Sequence, residues 1–251
     1  MNILILGAGT MRHGGFVHYK PYLQDWKRYG ENWQRSPLLR GSKCNIKLLK
    51  ETIGQRMVRM FKEQGLTDIT VAYSFDKPKI EGVSFRKVEY VRGRLSTVYQ
   101  CRDLISDTLI ASGDLVFSEQ ALKEILEQEY DEILWAMEMM VLVKPKGAEL
   151  LKSYFKENTW EFKFSTHWHK FECRHFFVTL FHREEYFKGH VKFFVGSHFA
   201  GDVDHPGRLK KFRDLVKLMN KGNEPKWRNG YQKGLGIIKS FPPVKMWWEC
   251  R

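Results

Sequence analysis

Three acidic residues lie where an α/β protein can bind a metal ion. Asp114 follows a glycine directly after an apolar stretch, and Asp202 and Asp204 come just before the helical pattern at 206–220. Mg²⁺ favours one or two carboxylates together with phosphate oxygens. If the later segment is extended, both of its carboxylates point to one face, so one can bind a metal while the other caps the helix. Each aspartate also fits an ordinary turn or helix cap.

A glycine-rich turn follows the first apolar stretch, at 2–6. Gly7-Ala8-Gly9 lets backbone N–H groups come close to a base or a phosphate. A complete dinucleotide fingerprint needs a third glycine at the position of Arg12. The turn therefore predicts nucleotide binding without excluding a tight turn that binds nothing.

Two cations are candidates for offsetting phosphate charge. Arg12 follows the glycine turn, and Lys47 is predicted to open the first helix. Transfer to or from a triphosphate needs fixed positive charge beside the phosphates. A solvated surface charge is the alternative for each.

The elements that must position these residues alternate between strand and helix in the first half of the chain, which predicts a mostly parallel sheet flanked by helices. The predicted strands are 2–6, 69–73, a part of 83–91, 108–111, 133–143, 171–181 and 190–195, and the predicted helices are 47–64, 95–105, 118–128, 147–156 and 206–220. Gly65 is expected to end the helix predicted at 47–64, and Ser118 is expected to cap the helix predicted at 118–128.

The 251-residue chain has a net charge of +13, which favours a polyanionic partner such as a nucleotide, nucleic acid or an anionic membrane surface. No apolar stretch reaches the roughly 18 residues of a membrane span, and the start lacks the features of a signal peptide. Four scattered cysteines indicate free thiols in a reducing cytoplasm.

We expect one α/β domain over 1–220, with a long basic and aromatic loop or lid at 11–45, and an irregular tail over 221–251.

In their order along the chain, these motifs resemble the sugar-phosphate and phosphocholine nucleotidyltransferases, which share the GT-A-like architecture. The resemblance covers roughly 2–220 and rests on the glycine turn with Arg12, Lys47 before a helix, the Gly-Asp pair at Asp114, and the later acidic segment. Two features depart from the family: Thr10-Met11 replaces a second glycine, and the stretch before Lys47 is unusually long.

The resemblance implies a three-layer α/β fold and transfer of a nucleoside monophosphate from a nucleoside triphosphate to a phosphorylated acceptor, with release of pyrophosphate. It implies catalytic roles for Lys47, Arg12 and Asp114, and a Mg²⁺ or Mn²⁺ ion held by Asp114 with Asp202 or Asp204. The implied nucleotide-binding residues are Leu6, Gly7, Ala8, Gly9, Thr10 and Arg12.

Three alternatives stay open. A glycosyltransferase of the same architecture would use a nucleotide-sugar, with DNA or another polyanion as acceptor, because the aromatic and basic loop suits stacking on bases. A binding module would hold zinc on His167, His169, Cys173 and His175, which share one face if that segment is a strand. A non-catalytic descendant would keep the fold and only bind.

Overall fold

The structure, a computed structural model, describes residues 1–7, 42–74, 77–89, 94–136, 140–158, 184–194, 196–203 and 209–223. Asp202, at the end of a strand, is described by its backbone alone. Among the helices of these ranges, none combines the length and apolar character needed to cross a bilayer.

Seven of the described strands form one mixed sheet, in the order β3 (Ser84–Lys87), β2 (Ile69–Tyr73), β1 (Asn2–Leu6), β4 (Thr108–Ser112), β7 (Met140–Val143), β6 (Ile133–Ala136) and β8 (Val191–Phe194). Every strand of this sheet runs parallel to β1 except β7, which is antiparallel to both of its neighbours. The prediction of a mostly parallel sheet is therefore confirmed. Two further strands, β5 (Leu115–Phe117) and β9 (Ala200–Asp202), form a separate antiparallel pair.

Helices cover both faces of the sheet, which gives the predicted three layers. Ile3 and Ile5 of β1 join one apolar cluster, and Leu4 and Leu6 join a second cluster on the opposite face. Such strands, buried on both sides, have apolar residues at successive positions. The first cluster includes side chains of α1 (Ile53–Glu63), α3 (Glu119–Leu126) and α6 (Leu209–Met219), and the second includes side chains of α2 (Arg94–Gln100), α4 (Pro145–Glu157) and α5 (Glu184–Phe187).

Helix α1 begins later than predicted. The expected start near Lys47 is wrong, because a capping box fixes the first turn at Ile53. The Thr52 side chain accepts a hydrogen bond from the Gln55 N–H, and the Gln55 side chain accepts one from the Thr52 N–H. The predicted end is confirmed, because Gly65 adopts a φ of 78° that favours glycine.

Two other predicted elements differ in the structure. The stretch 133–143 contains the antiparallel strands β6 and β7 rather than one strand, so its largely apolar character reflects two buried strands. The predicted helix 95–105 ends as α2 at Gln100, and a 3-10 turn follows at Arg102–Leu104. The predicted strand at 171–181 lies outside the described residues.

Candidate active site

The carboxyl ends of β1 and β4 form a topological switch point. From β1 the chain continues to β2 on one side, while β4 pairs with β1 on the other side. Leu6 lies opposite Ser112, and the Gly113 N–H donates to the Leu6 carbonyl at 3.1 Å. Ligands of open α/β sheets bind in the crevice at such a point. Gly7 and Asp114, which both come just past their strands, therefore border the natural binding crevice of this fold.

A buried ion pair lies at this edge. The Lys43 Nζ is 2.6 Å from the Asp114 Oδ2, and the two side chains are only 9% and 4% exposed. The Ser112 hydroxyl donates to the other carboxylate oxygen, Asp114 Oδ1, at 2.5 Å. Both oxygens of Asp114 thus accept hydrogen bonds, an arrangement that suits the ionised carboxylate.

Lys43 reaches Asp114 because the segment that carries it is fixed to both strand ends. Lys43–Asn45 forms a 3-10 turn that is capped by Ser42, whose side chain accepts from the Cys44 N–H. The Ser42 hydroxyl donates to the Gly7 carbonyl at 2.7 Å, and the Cys44 thiol donates to the Gly113 carbonyl at 3.3 Å. These contacts fix the turn between β1 and β4, so the lysine is held in place beside the carboxylate.

Two glycines permit this close approach. A Cβ on Gly113 would lie 2.7 Å from the Cys44 Sγ, 2.8 Å from the Leu6 carbonyl oxygen and 2.9 Å from the Gly7 Cα. A Cβ on Gly7 would lie 2.9 Å from the Ala72 carbonyl oxygen and 3.0 Å from the Cys44 Sγ. Both glycines therefore let the backbone of the strand ends and the Cys44 side chain pack against one another.

We expect Gly113→Ala to lower the free energy of unfolding by about 1–3 kcal/mol, because the new methyl group would overpack a site bordered by backbone. Urea denaturation of the wild type and the variant measures the change. Cys44→Ala removes the contact of the new methyl group with sulfur, so Gly113→Ala should cost less in a Cys44→Ala background than in the wild-type protein. A Gly113→Ala protein as stable as the wild type would contradict the packing described above.

Burial, with a smaller contribution from the nearby Asp114 charge, raises the pKa of the Cys44 thiol to about 12. Burial likewise raises the pKa of Cys101 to about 11. An unfolded thiol ionises near 9.0, so the stabilisation from keeping Cys44 neutral is complete below that pH. It is lost as the pH rises from there towards 12.

We therefore expect Cys44 and Cys101 to resist iodoacetamide in the native protein at about pH 8.5 and to react readily in urea, because the thiolate is the nucleophile. Peptide mass spectrometry separates these two residues from the remaining cysteines. Equal labelling of Cys44 with and without urea would show that the thiol is neither buried nor neutral in solution.

The later acidic segment passes beside Asp114. Leu115 of β5 pairs with Asp202 of β9, and the Val203 N–H donates to the Asp114 carbonyl at 2.9 Å. The backbone of this segment is therefore adjacent to that of Asp114, although the two are far apart in sequence. Asp204 lies outside the described residues.

Lys47 forms no ion pair with Asp114 in the described part of the chain, whereas Lys43 does. It is exposed, and its carbonyl accepts hydrogen bonds from the Arg213 guanidinium at 3.0 and 3.3 Å. Sequence reasoning missed Lys43 because it placed the start of α1 too early. The Thr52-x-x-Gln55 capping box was the available signal, since it moves the helix start well beyond Lys47.

Several predicted site residues lie outside the described part of the chain: Ala8, Gly9, Thr10, Arg12, Asp204, and the zinc candidates His167, His169, Cys173 and His175. Within the described residues, no group of three or more histidine, cysteine, aspartate or glutamate side chains is arranged to hold a metal ion.

The fold matches solved nucleotidyltransferases. Over 86% of this chain, it is similar to HddC from Yersinia pseudotuberculosis (TM-score 0.54, 13% identity, 99% of that chain). Over the same share of this chain, it is similar to the CTP:phosphocholine cytidylyltransferase LicC from Streptococcus pneumoniae (TM-score 0.52, 10% identity, 98% of that chain). It is also similar to the 2-C-methyl-D-erythritol 4-phosphate cytidylyltransferase from Thermus thermophilus (TM-score 0.50, 15% identity, 98% of that chain). No protein-family model and no curated protein matches the sequence. The chain has the nucleotidyltransferase fold.

Proposed function

We propose that the protein is an enzyme that transfers a nucleoside monophosphate from a nucleoside triphosphate to a phosphorylated small molecule and releases pyrophosphate. The buried Lys43–Asp114 pair at the switch point carries this proposal, because it presents one fixed cation and one carboxylate where the fold binds ligands. The similar structures add support, since two of them are named as cytidylyltransferases, one for phosphocholine and one for 2-C-methyl-D-erythritol 4-phosphate, and an HddC structure is complexed with GMP-PN.

The reaction needs little covalent assistance from the protein. An oxygen of the acceptor phosphate attacks the α-phosphorus and forms a new P–O bond. The bond from the α-phosphorus to the oxygen that bridges to the β-phosphorus breaks, and its electron pair leaves with pyrophosphate. The attacking phosphate oxygen is already ionised, so no general base is required. The site must align the acceptor phosphate with the α-phosphate of the triphosphate, and it must compensate the negative charge of both.

Lys43 is suited to the second demand. Its ammonium group is held by Asp114 near the end of β1, so it needs little reorganisation to interact with phosphate oxygens bound in the crevice. Ser42 and Cys44 fix the backbone on either side of it. In this proposal, Lys43 takes the role that the family resemblance gave to Lys47. The nucleotide is bound by Leu6, Gly7, Ala8, Gly9, Thr10 and Arg12.

Asp114 fits a divalent cation, Mg²⁺ or Mn²⁺. Both of its oxygens accept hydrogen bonds, as a carboxylate does in the form that binds metal. In this proposal, Asp202 or Asp204 supplies the second carboxylate, supported by the β5–β9 pairing that places the Asp202 backbone opposite Leu115. Such an ion, when bound with phosphate oxygens, offsets charge on the nucleophile and the leaving group.

Pyrophosphate release tests the proposal. The purified protein is incubated with Mg²⁺, each ribonucleoside triphosphate in turn, and a panel of sugar phosphates and phosphorylated alcohols. We expect release that requires both one triphosphate and one acceptor, with a loss of about 10³-fold in Asp114→Asn. Asp214→Asn, at an exposed position on α6, is the matched control and should keep full activity.

Further incubations with nucleotide-sugars, with and without DNA, and a titration with triphosphate alone separate the alternatives. Sugar transfer from a nucleotide-sugar, with or without DNA as acceptor, and no pyrophosphate release would replace this proposal with a glycosyltransferase. Binding of triphosphate by folded protein without turnover of any pair would indicate a non-catalytic descendant.

A further inference from the structure

A second concave site lies on the other face of the sheet. A pocket of about 530 Å³ is formed between β3, the end of α2, the 3-10 turn after it, and α4. The turn that carries Lys43 belongs with α1, because Cys44 packs in the first apolar cluster, whereas Phe155 at the pocket belongs to the second. This pocket is therefore separate from the candidate active site.

The charges around the pocket are strongly unbalanced. Among the described residues that line it are the cations Arg86, Arg102, Lys152 and Lys156, and one carboxylate, Asp103. Asp103 lies 3.3 Å from the Arg86 guanidinium, but both side chains are about half exposed, so this pair holds them weakly. Cations that converge on a concave surface repel one another, and a bound anion relieves that repulsion.

The Arg102 side chain is held against Tyr99. Its guanidinium lies over the Tyr99 ring, 4.3 Å from the centroid, and its Nη1 donates to the Tyr99 carbonyl at 2.9 Å. That is the one hydrogen bond from this guanidinium in the described part of the chain, which leaves four of its five N–H donors for a ligand. Lys152, which lies on α4, has no ion-pair partner within the described ranges.

The walls of the pocket are preformed. The Tyr99 ring packs edge-on against the fully buried Phe155 ring at 5.7 Å. The Gln100 side chain pairs with the Glu89 backbone in both directions, at 2.7 and 3.0 Å, and so ties the end of α2 to the segment after β3. A volume of this size is typical of small-molecule sites, and a lining of arginine with lysine favours phosphate.

We propose that this pocket is a second binding site, specific for the phosphate group of a small phosphorylated molecule. Arg102 supplies oriented hydrogen-bond donors, and Lys152 and Lys156 supply charge. The proposal does not depend on the nucleotidyl-transfer reaction, since it concerns binding at a different face of the molecule.

Calorimetric titration with inorganic pyrophosphate, without divalent metal and at physiological salt, tests the site. The double variant Arg102→Ala/Lys152→Ala should weaken one class of binding sites by at least about tenfold, because it removes charge-assisted hydrogen bonds. The control Lys146→Ala/Lys217→Ala removes the same charge at exposed positions away from the pocket and should bind within about twofold of the wild type. Any pyrophosphate bound at the candidate active site remains in both variants.

Equal affinity in the pocket variant and the wild type would overturn the proposal, and so would an equal loss in the control, which would indicate non-specific charge. Lys152→Glu leaves the Arg102–Tyr99 contacts intact and provides a second variant if the double variant misfolds. Parallel titrations with uridine monophosphate and glucose 1-phosphate distinguish a nucleotide from a sugar phosphate. A single-stranded oligonucleotide that alone loses affinity in the pocket variants would replace the proposal with nucleic-acid binding.

Discussion

Lys43→Ala is expected to lower kcat/KM for nucleotidyl transfer by about 10²–10³-fold, because it removes the positive charge that Asp114 holds at the switch point, where our proposal places the reacting phosphates. Lys47→Ala is expected to change it by less than about threefold, since that side chain is exposed and its backbone makes the contacts to Arg213. Steady-state pyrophosphate release gives both values, and the two variants remove the same atoms only four positions apart in sequence.

Loss of folding must be separated from loss of catalysis in this comparison. Thermal denaturation fixes a temperature at which each variant is fully folded, and the kinetics are measured below it. Lys43→Arg keeps the charge but changes its shape, so it should retain more activity than alanine. A larger defect in Lys47→Ala than in Lys43→Ala would restore the lysine assignment made from sequence and remove the main support for the buried pair as the reactive centre.

Local sequence patterns predicted most of the sheet and its flanking helices. Each residue of β1 from Ile3 to Leu6 is apolar, which is what burial on both faces requires. Ser118 caps α3 as expected, since its side chain accepts from the Ala121 N–H. The position of Asp114 at the end of β4 also followed from the sequence, because an apolar strand and a Gly-Asp turn are both short-range features.

The partner of Asp114 could not be found in the same way. Lys43 and Asp114 are 71 residues apart, and their contact depends on how the turn at Lys43 fits between Gly7 and Gly113. That fit is set by the Cys44 sulfur and by two glycines that come close to it, which no periodicity reveals. The pairing of β5 with β9 is long-range as well, so the sequence indicated an acidic segment before a helix without showing that its backbone would lie against Asp114.

Lys43→Met is expected to lower the free energy of unfolding by about 3–5 kcal/mol, because it leaves the Asp114 charge buried without its cation. Asp114→Asn should also be costly, since it leaves the ammonium group without its carboxylate. The double variant should lose much less than the sum of the two, because it buries no unpaired charge. Urea denaturation at neutral pH of all four proteins gives the coupling energy.

The exposed pair between Lys217 and Asp214 is the internal control, and Lys217→Met should cost less than about 1 kcal/mol. Similar small costs at both pairs would show that solvent screens the Lys43–Asp114 pair as strongly as it screens the exposed pair. A stable double variant that has lost nucleotidyl transfer would be the most informative result. A buried ion pair is a poor source of net stability. If the double variant folds as well as the wild type, the role of Lys43 and Asp114 is therefore in the chemistry at the switch point and not in folding.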